Sequence, residues 1–152
     1  MPLAPIVLFT YNRPWHTRQT VEALQKNELA SESELFVYSD APKNGQAAEA
    51  VAKVRNYIKE IRGFKNVTVI ERDKNWGLAN SIINGVTTIV KRDGSVIVLE
   101  DDLVTSPYFL KFMNEALALH VNIDEAKRRH VGGSYEVQYS VQKQCVEKGD
   151  TT

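Results

Sequence analysis

Four short apolar runs alternate with longer stretches of helical periodicity, and this alternation constrains the fold more than any other feature. The predicted strands cover residues 5–11, 35–39, 67–71 and 95–100. The predicted helices cover residues 14–28, 46–62 and 77–91, and a fourth begins after Ser106 and Pro107. Strands that alternate with helices pair in parallel, because each helix carries the chain back to the same edge of the sheet. We therefore predict an α/β protein with a mostly parallel sheet and helices on both faces.

Composition places the chain among ordinary globular domains. It has 152 residues, of which 43% are hydrophobic and 25% charged. Nineteen basic and nineteen acidic residues cancel, which argues against a nucleic-acid partner. No segment approaches the length of a membrane span. A single cysteine, Cys145, allows no internal disulfide, so we expect a reducing compartment and a cytoplasmic location.

The last part of the chain differs from the rest. Apolar residues alternate with polar ones from Tyr135 to Val141, a pattern that predicts a half-exposed strand. Residues 144–152 are polar, and we expect a frayed end there. We therefore divide the chain into a domain over residues 1–130 and a strand-like segment with its tail over residues 131–152.

Three consecutive acids follow the last apolar run. Residues 96–99 read Val-Ile-Val-Leu, and Glu100, Asp101 and Asp102 come directly after them. Adjacent carboxylates repel one another, and a divalent cation such as Mn²⁺ or Mg²⁺ is the simplest counter-charge. In an extended chain, side chains two residues apart share a face, so we expect Glu100 and Asp102 to point one way and Asp101 the other. An acidic, solvated loop is the alternative interpretation.

Polar residues also stand at the ends of the other predicted strands. They are Asn12 and Arg13, then Asp40, then Arg72 and Asp73. Ligands of parallel α/β proteins bind at the carboxyl ends of the strands. We therefore expect these residues and the three acids to converge on one crevice.

Several segments resemble nucleotide-sugar glycosyltransferases of the GT-A fold. Residues 5–14, Pro-Ile-Val-Leu-Phe-Thr-Tyr-Asn-Arg-Pro, resemble their opening strand. Residues 75–80, Asn-Trp-Gly-Leu-Ala-Asn, followed by Asn84 and Gly85, resemble the N-x-G segment and helix of family 2 enzymes. Residues 96–102 are similar to the Glu-Asp-Asp segment of N-acetylglucosaminyltransferase I and its relatives. The resemblance covers residues 4 to about 120 and implies a Rossmann-like GT-A fold.

The resemblance implies a role for each acid. Asp102 corresponds to the direct metal ligand, whereas Glu100 and Asp101 correspond to acids near the ribose or behind the metal. Asp40 corresponds to an acid that contacts the base of the nucleotide. An Asx turn before Pro42 is an equally simple explanation of Asp40.

The resemblance also implies a frame around the nucleotide. The backbone of Thr10, Tyr11 and Asn12 corresponds to this frame, and Arg13 corresponds to a basic residue near the diphosphate. Arg13 also fits a solvated residue at a helix start. The remaining nucleotide-binding candidates are Asn75 and Gly77, which also suit the cap of the following helix.

The function implied is sugar transfer from a UDP-sugar, bound through Mn²⁺ or Mg²⁺, to a glycan or another hydroxyl acceptor. The sequence points to no catalytic base. Complete relatives continue well past the metal motif, so we expect an N-terminal fragment that turns over slowly or not at all. A nucleotide-binding remnant without activity is the first alternative. Nucleotidyl transfer is a second, although no glycine-rich loop follows the first strand. A phospho-accepting receiver domain is a third, although its acids would follow the first strand.

Overall fold

The computed structural model describes residues 2–128. They form an α/β fold whose four strands and four α-helices alternate along the chain. The strands are β1 (Ile6–Thr10), β2 (Glu34–Ser39), β3 (Asn66–Glu71) and β4 (Ile97–Glu100). The helices are α1 (Pro14–Gln25), α2 (Ala48–Ile58), α3 (Leu78–Asp93) and α4 (Phe109–Arg128). A 3₁₀ turn, Ala30–Glu32, precedes β2.

All strand pairs in the described residues are parallel, and the strand order is β3-β2-β1-β4. The apolar residues of α1, α2 and α4 pack on one face of the sheet, around Ile6, Leu35 and Ile97. Helix α3 packs on the other face, where Ile89 contacts a cluster that includes Phe9 and Tyr38. The predicted parallel sheet with helices on both faces is therefore confirmed.

The helix ends differ by a few residues from the predicted ones, for local reasons. Helix α1 begins with Pro14, whose missing N–H costs nothing in a first turn. Helix α3 runs two residues further than expected, to Asp93, and is capped by Gly94, whose φ of 81° suits a glycine. Before α4, the Ser106 hydroxyl accepts the N–H of Tyr108 at 3.3 Å, and the helix begins at Phe109.

The loop between β4 and α4 is anchored by Asn27 at the end of α1. The Asn27 amide donates to the Thr105 hydroxyl at 3.1 Å and accepts the N–H of Leu110 at 2.9 Å. The N–H of Glu28 also donates to the carbonyl of Pro107 at 2.9 Å. The acids that precede this loop are therefore connected on both sides to ordered structure. The predicted strand from Tyr135 to Val141 and the division at residue 130 lie outside the described residues.

Candidate functional site

The carboxyl ends of β1 and β4 bring Arg13 against two of the predicted acids. The two strands pair in parallel, with Phe9 opposite Glu100, so the residues that follow them meet at one edge of the sheet. The Arg13 guanidinium lies 2.5 Å from a carboxylate oxygen of Asp101 and 3.6 Å from one of Asp102. Sequence positions 88 residues apart thus form one cluster of charges.

The three acids do not alternate across the strand as expected. Strand β4 ends at Glu100, and Asp101 and Asp102 lie in a turn, so both reach the same arginine. The prediction that Asp101 points away from Asp102 is therefore wrong. The Asp101 side chain is almost fully buried, with 7% exposed, whereas 43% of the Asp102 side chain is exposed. Glu100 is half-buried, and its carboxylate forms no hydrogen bond or ion pair with any residue from 2 to 128.

Asp101 and Asp102 also affect the pKa of Arg13. Burial by itself lowers the pKa of Arg13, but the hydrogen bond that Arg13 donates to Asp101 and the charges of Asp101 and Asp102 outweigh it. The pKa of Arg13 is therefore raised above its ordinary value. Arg13 remains a cation at any pH at which the protein folds, and it is the counter-charge of Asp101 in the described structure.

Asp40 holds the loop between β3 and α3. Its carboxylate accepts four hydrogen bonds, from the N–H groups of Ala41, Trp76 and Gly77 and from the amide of Asn75, at 2.9–3.2 Å. The side chain of a residue that is 7% exposed thus has all its acceptor positions in use. The resemblance predicts that Asp40 contacts a base, and the geometry adds a second task, which is to fix residues 75–77.

Gly77 is the residue that lets this loop enter α3. Its φ is 76° and its ψ is 156°, a region of backbone space that only glycine populates readily. The negative charge of Asp40 lies at the two N–H groups that precede the helix, where the helix dipole favours an anion. Asp40 therefore caps α3 from outside the helix.

Arg72 lies between two aromatic rings beside this loop. Its guanidinium carbon is 4.7 Å from the centroid of Tyr38 and 4.1 Å from that of Trp76. Tyr38 in turn stacks on Phe9, with centroids 5.4 Å apart, and burial raises the pKa of Tyr38. Arg72 also donates to the side chain of Asn84 on α3 at 2.9 Å. A stack of four side chains thus runs from β1 to the loop before α3, in the order Phe9, Tyr38, Arg72 and Trp76.

Arg55 on α2 is a contributor that the sequence interpretation missed. It donates to the Ser39 hydroxyl at 3.1 Å and to the carbonyl of Arg72 at 2.9 Å, so it joins the ends of β2 and β3. The signal was present, because Arg55 lies one turn after Val51 and next to Val54, the apolar face of its helix. A charged residue in that position needs a partner.

The residues after β1 are placed as follows. The Thr10 hydroxyl donates to the carbonyl of Tyr38 at 3.0 Å, so this side chain joins β1 to β2. The Tyr11 hydroxyl accepts the N–H of Lys43 at 2.9 Å and links the first loop to the one after β2. Asn12 is half-buried and contacts no polar partner among residues 2–128. These links bring the two halves of the site, around Asp40 and around Asp102, to the same edge of the sheet.

The acids fit a cation that completes its coordination with a substrate. Within residues 2–128, no three His, Cys, Asp or Glu side chains gather as a ready-made metal site. Mg²⁺ and similar hard cations commonly use one or two carboxylates together with phosphate oxygens and water. The half-exposed carboxylate of Asp102 meets that requirement, with Glu100 one position before the turn.

Comparison with known proteins identifies the family. The profile described as glycosyl transferase family 2 matches residues 6–138. The chain belongs to glycosyl transferase family 2, as the resemblance of its motifs implied. No curated protein matches the chain.

Solved glycosyltransferase structures share the fold. The mannosyltransferase PcManGT from Pyrobaculum calidifontis, solved in complex with GDP-Man and Mn²⁺, superposes with a TM-score of 0.53 at 16% identity. TarS from S. aureus superposes with a TM-score of 0.51 at 21% identity. The matches cover 72% and 81% of this chain, but only 30% of PcManGT and 20% of TarS. The predicted GT-A fold is confirmed, and the chain spans less than a third of either protein. No helix within residues 2–128 is long and apolar enough to cross a membrane.

Proposed function

We propose that this chain forms the donor-binding part of a glycosyltransferase that takes a UDP-sugar together with Mn²⁺ or Mg²⁺. The observation that carries the proposal is the cluster of Arg13, Asp101 and Asp102 at the carboxyl ends of β1 and β4. In parallel α/β folds this edge of the sheet is where ligands bind. One arginine and two carboxylates there suit a diphosphate with a bound divalent cation, because arginine binds the anion and carboxylates bind the cation.

Asp102 is the residue we assign to the metal, with Glu100 beside it. A bound divalent cation stabilises the negative charge that develops on a leaving diphosphate. Asp101 is assigned a different task, because it is almost fully buried and already paired with Arg13. It holds the guanidinium in place at the edge of the site. The Mn²⁺ that accompanies GDP-Man in the PcManGT structure supports the choice of cation.

Arg13 is the residue we assign to the diphosphate. Its side chain is 44% exposed, so one side of the guanidinium faces solvent while the other pairs with Asp101. Charge-assisted hydrogen bonds from arginine to phosphate are among the stronger polar contacts in proteins. Asp101 and Asp102 keep Arg13 from extending into solvent, so less conformational entropy is lost when phosphate binds.

We assign the half of the site around Asp40 to the nucleoside. The residues proposed to frame it are Thr10, Tyr11, Asn12, Asp40, Asn75 and Gly77. Because Asp40 already accepts four hydrogen bonds, a base reaches its carboxylate only by sharing or replacing one of those donors. We therefore assign Asp40 chiefly to the shape of residues 75–77. The acceptor is proposed to be a hydroxyl group, on a glycan or another molecule.

Isothermal titration of the folded chain with UDP, with and without Mn²⁺, tests this proposal. We expect UDP to bind in the presence of Mn²⁺ and much more weakly in its absence. GDP and ADP serve as matched controls for the base, and we expect UDP to bind more tightly than either. At a hundredfold excess over its dissociation constant, the ligand should add about 2.7 kcal/mol to the free energy of unfolding. Absence of any nucleotide binding by protein with a native circular dichroism spectrum would refute the proposal.

A further inference from the structure

A groove runs along the outward side of α3, apart from the cluster of acids. It is open to solvent and has a volume of about 690 Å³, and it starts at the loop before α3 and follows the helix to its last turn. The residues that matter for its chemistry are Lys74, Trp76, Asn80, Ile83, Thr87 and Lys91. Asn80 and Lys91 are eleven residues apart on one helix, which corresponds to about 16 Å. The groove therefore suits an elongated ligand.

All charged residues that line the groove are basic. Its lining contains two lysines and no acidic residue. Neither Lys74 nor Lys91 forms an ion pair with any residue from 2 to 128, whereas Lys53, Lys59 and Lys111 each pair with a glutamate. The lysines stand at opposite ends of the groove. Two separated, unopposed cations complement a ligand that carries anionic groups at intervals.

The surface between the lysines is amphipathic. The Trp76 ring is held in place by Arg72, 4.1 Å from its centroid, and Ile83 is 65% exposed. Asn80 and Thr87 are exposed on the same side of α3 and offer an amide and a hydroxyl for hydrogen bonding. A sugar ring has a C–H face that packs on an aromatic or aliphatic surface, and hydroxyl groups at its rim that bond to such side chains.

We propose that this groove binds an acidic oligosaccharide. The sugar rings lie over Trp76 and Ile83, and the anionic groups lie beside Lys74 and Lys91. A nucleic acid suits the groove less well, because single strands are bound by several stacking aromatic rings in strongly basic domains. Here the groove has one ring, and the chain has a formal net charge of zero. The groove meets the proposed nucleoside frame at Asn75 and runs away from it along α3, so it extends the surface available to a glycan.

Fluorescence of Trp76 tests the proposal directly. The chain has two tryptophans, so Trp15→Phe leaves Trp76 as the only reporter. The probes are hexagalacturonate as the acidic glycan, maltohexaose as the neutral one and a thymidine decanucleotide as a polyanion without pyranose rings. We expect hexagalacturonate to change the Trp76 emission in a saturable way and to bind at least about tenfold more tightly than either control.

Substitution of the lysines completes the test. In the Trp15→Phe background, Lys74→Gln with Lys91→Gln should weaken hexagalacturonate binding by about tenfold. The matched control, Lys26→Gln with Lys65→Gln, removes the same charge from exposed sites outside the groove and should leave the affinity unchanged. Equal loss in both double variants, tighter binding of the decanucleotide, or no response to hexagalacturonate would overturn the proposal. The titration contains neither nucleotide nor metal, so its outcome is independent of the proposed donor site.

Discussion

The two halves of the candidate site use their carboxylates in opposite ways. At the ends of β2 and β3, the single carboxylate of Asp40 accepts four hydrogen bonds from the protein. At the ends of β1 and β4, Asp101 and Asp102 share one arginine, and the carboxylate of Glu100 has no polar partner among the described residues. A carboxylate whose acceptor positions are filled by the protein fixes a shape. Carboxylates that share too little positive charge retain the capacity to bind a cation.

This comparison separates stability from ligand binding. Removing the Asp40 charge should cost folding free energy, because buried N–H groups lose their acceptors. Removing the Asp102 charge should cost little folding free energy and should abolish metal binding.

Asp40→Asn should destabilise the protein by about 3 kcal/mol, measured by urea unfolding. The amide of asparagine presents a donor where the carboxylate accepts, so at least one N–H of residues 76–77 is left facing another N–H. Asp73→Asn is the matched control, because Asp73 is an exposed acid in the same loop, and its cost should stay within about 0.5 kcal/mol. Equal stability of the two variants would show that Asp40 does not organise the loop.

Arg13→Met should destabilise the chain without ligand by about 1–2 kcal/mol, because the buried carboxylate of Asp101 loses its cation. Added Mn²⁺ should restore part of this loss, since a divalent ion can take over as counter-charge. Thermal unfolding with and without Mn²⁺ measures both effects. Arg18→Met, in helix α1 just after Arg13 but beside Tyr57, is the control and should show no recovery with Mn²⁺. If Arg13→Met gains nothing from Mn²⁺, the acids do not form a cation site.

Gly85→Ala should destabilise the protein by about 1 kcal/mol. A Cβ at this position would lie 2.9 Å from the Phe9 ring and 3.1 Å from the Tyr38 ring, so the stack beneath α3 has to move. The crowding costs about 1–3 kcal/mol and the gain in helix propensity offsets up to about 1 kcal/mol. Gly45→Ala meets no atom within 4 Å and should change stability by less than about 0.5 kcal/mol. Denaturant midpoints compare the two, and an unchanged Gly85→Ala midpoint would contradict the packing described here.

Asp102→Asn should change the stability of the chain without ligand by less than about 0.5 kcal/mol, in the stabilising direction. Asp102 is 43% exposed and lies next to two other acids, so its removal relieves repulsion. The urea unfolding midpoint measures the change. A loss of more than 1 kcal/mol would mean that Asp102 has a structural task like that of Asp40.

The order of strands and helices was predictable because periodicity reports which side chains are buried. The apolar runs that become β1 and β2 are almost entirely buried, and β4 alternates buried with partly buried residues. In α2 and α3 the buried residues recur about once per helical turn and face the sheet. Strand β3 is at an edge and only half-buried, yet its β-branched residues marked it. The meeting of Arg13 with the acids also followed from parallel pairing alone.

The details of the site depended on turns, which periodicity does not describe. The sequence pattern predicted that Asp101 points away from Asp102, as it would in a continuing strand. This was wrong because the backbone turns after Glu100. Three of the four hydrogen bonds of Asp40 come from residues 35 to 37 positions away, and the place of Arg72 between two rings depends on side-chain packing. No local pattern encodes such contacts. Arg55, in the middle of α2 beside its apolar face, was the one residue whose position in the sequence indicated such a contact.

Electron paramagnetic resonance of bound Mn²⁺ shows whether Asp102, and not Asp40 or Asp73, holds the metal beside a nucleotide. The parent chain and Asp73→Asn should each bind one Mn²⁺ per chain when UDP is present. Asp102→Asn, with an unchanged unfolding midpoint, should bind none above the level of UDP and Mn²⁺ alone. Full binding of Mn²⁺ by Asp102→Asn in the presence of UDP would contradict the account.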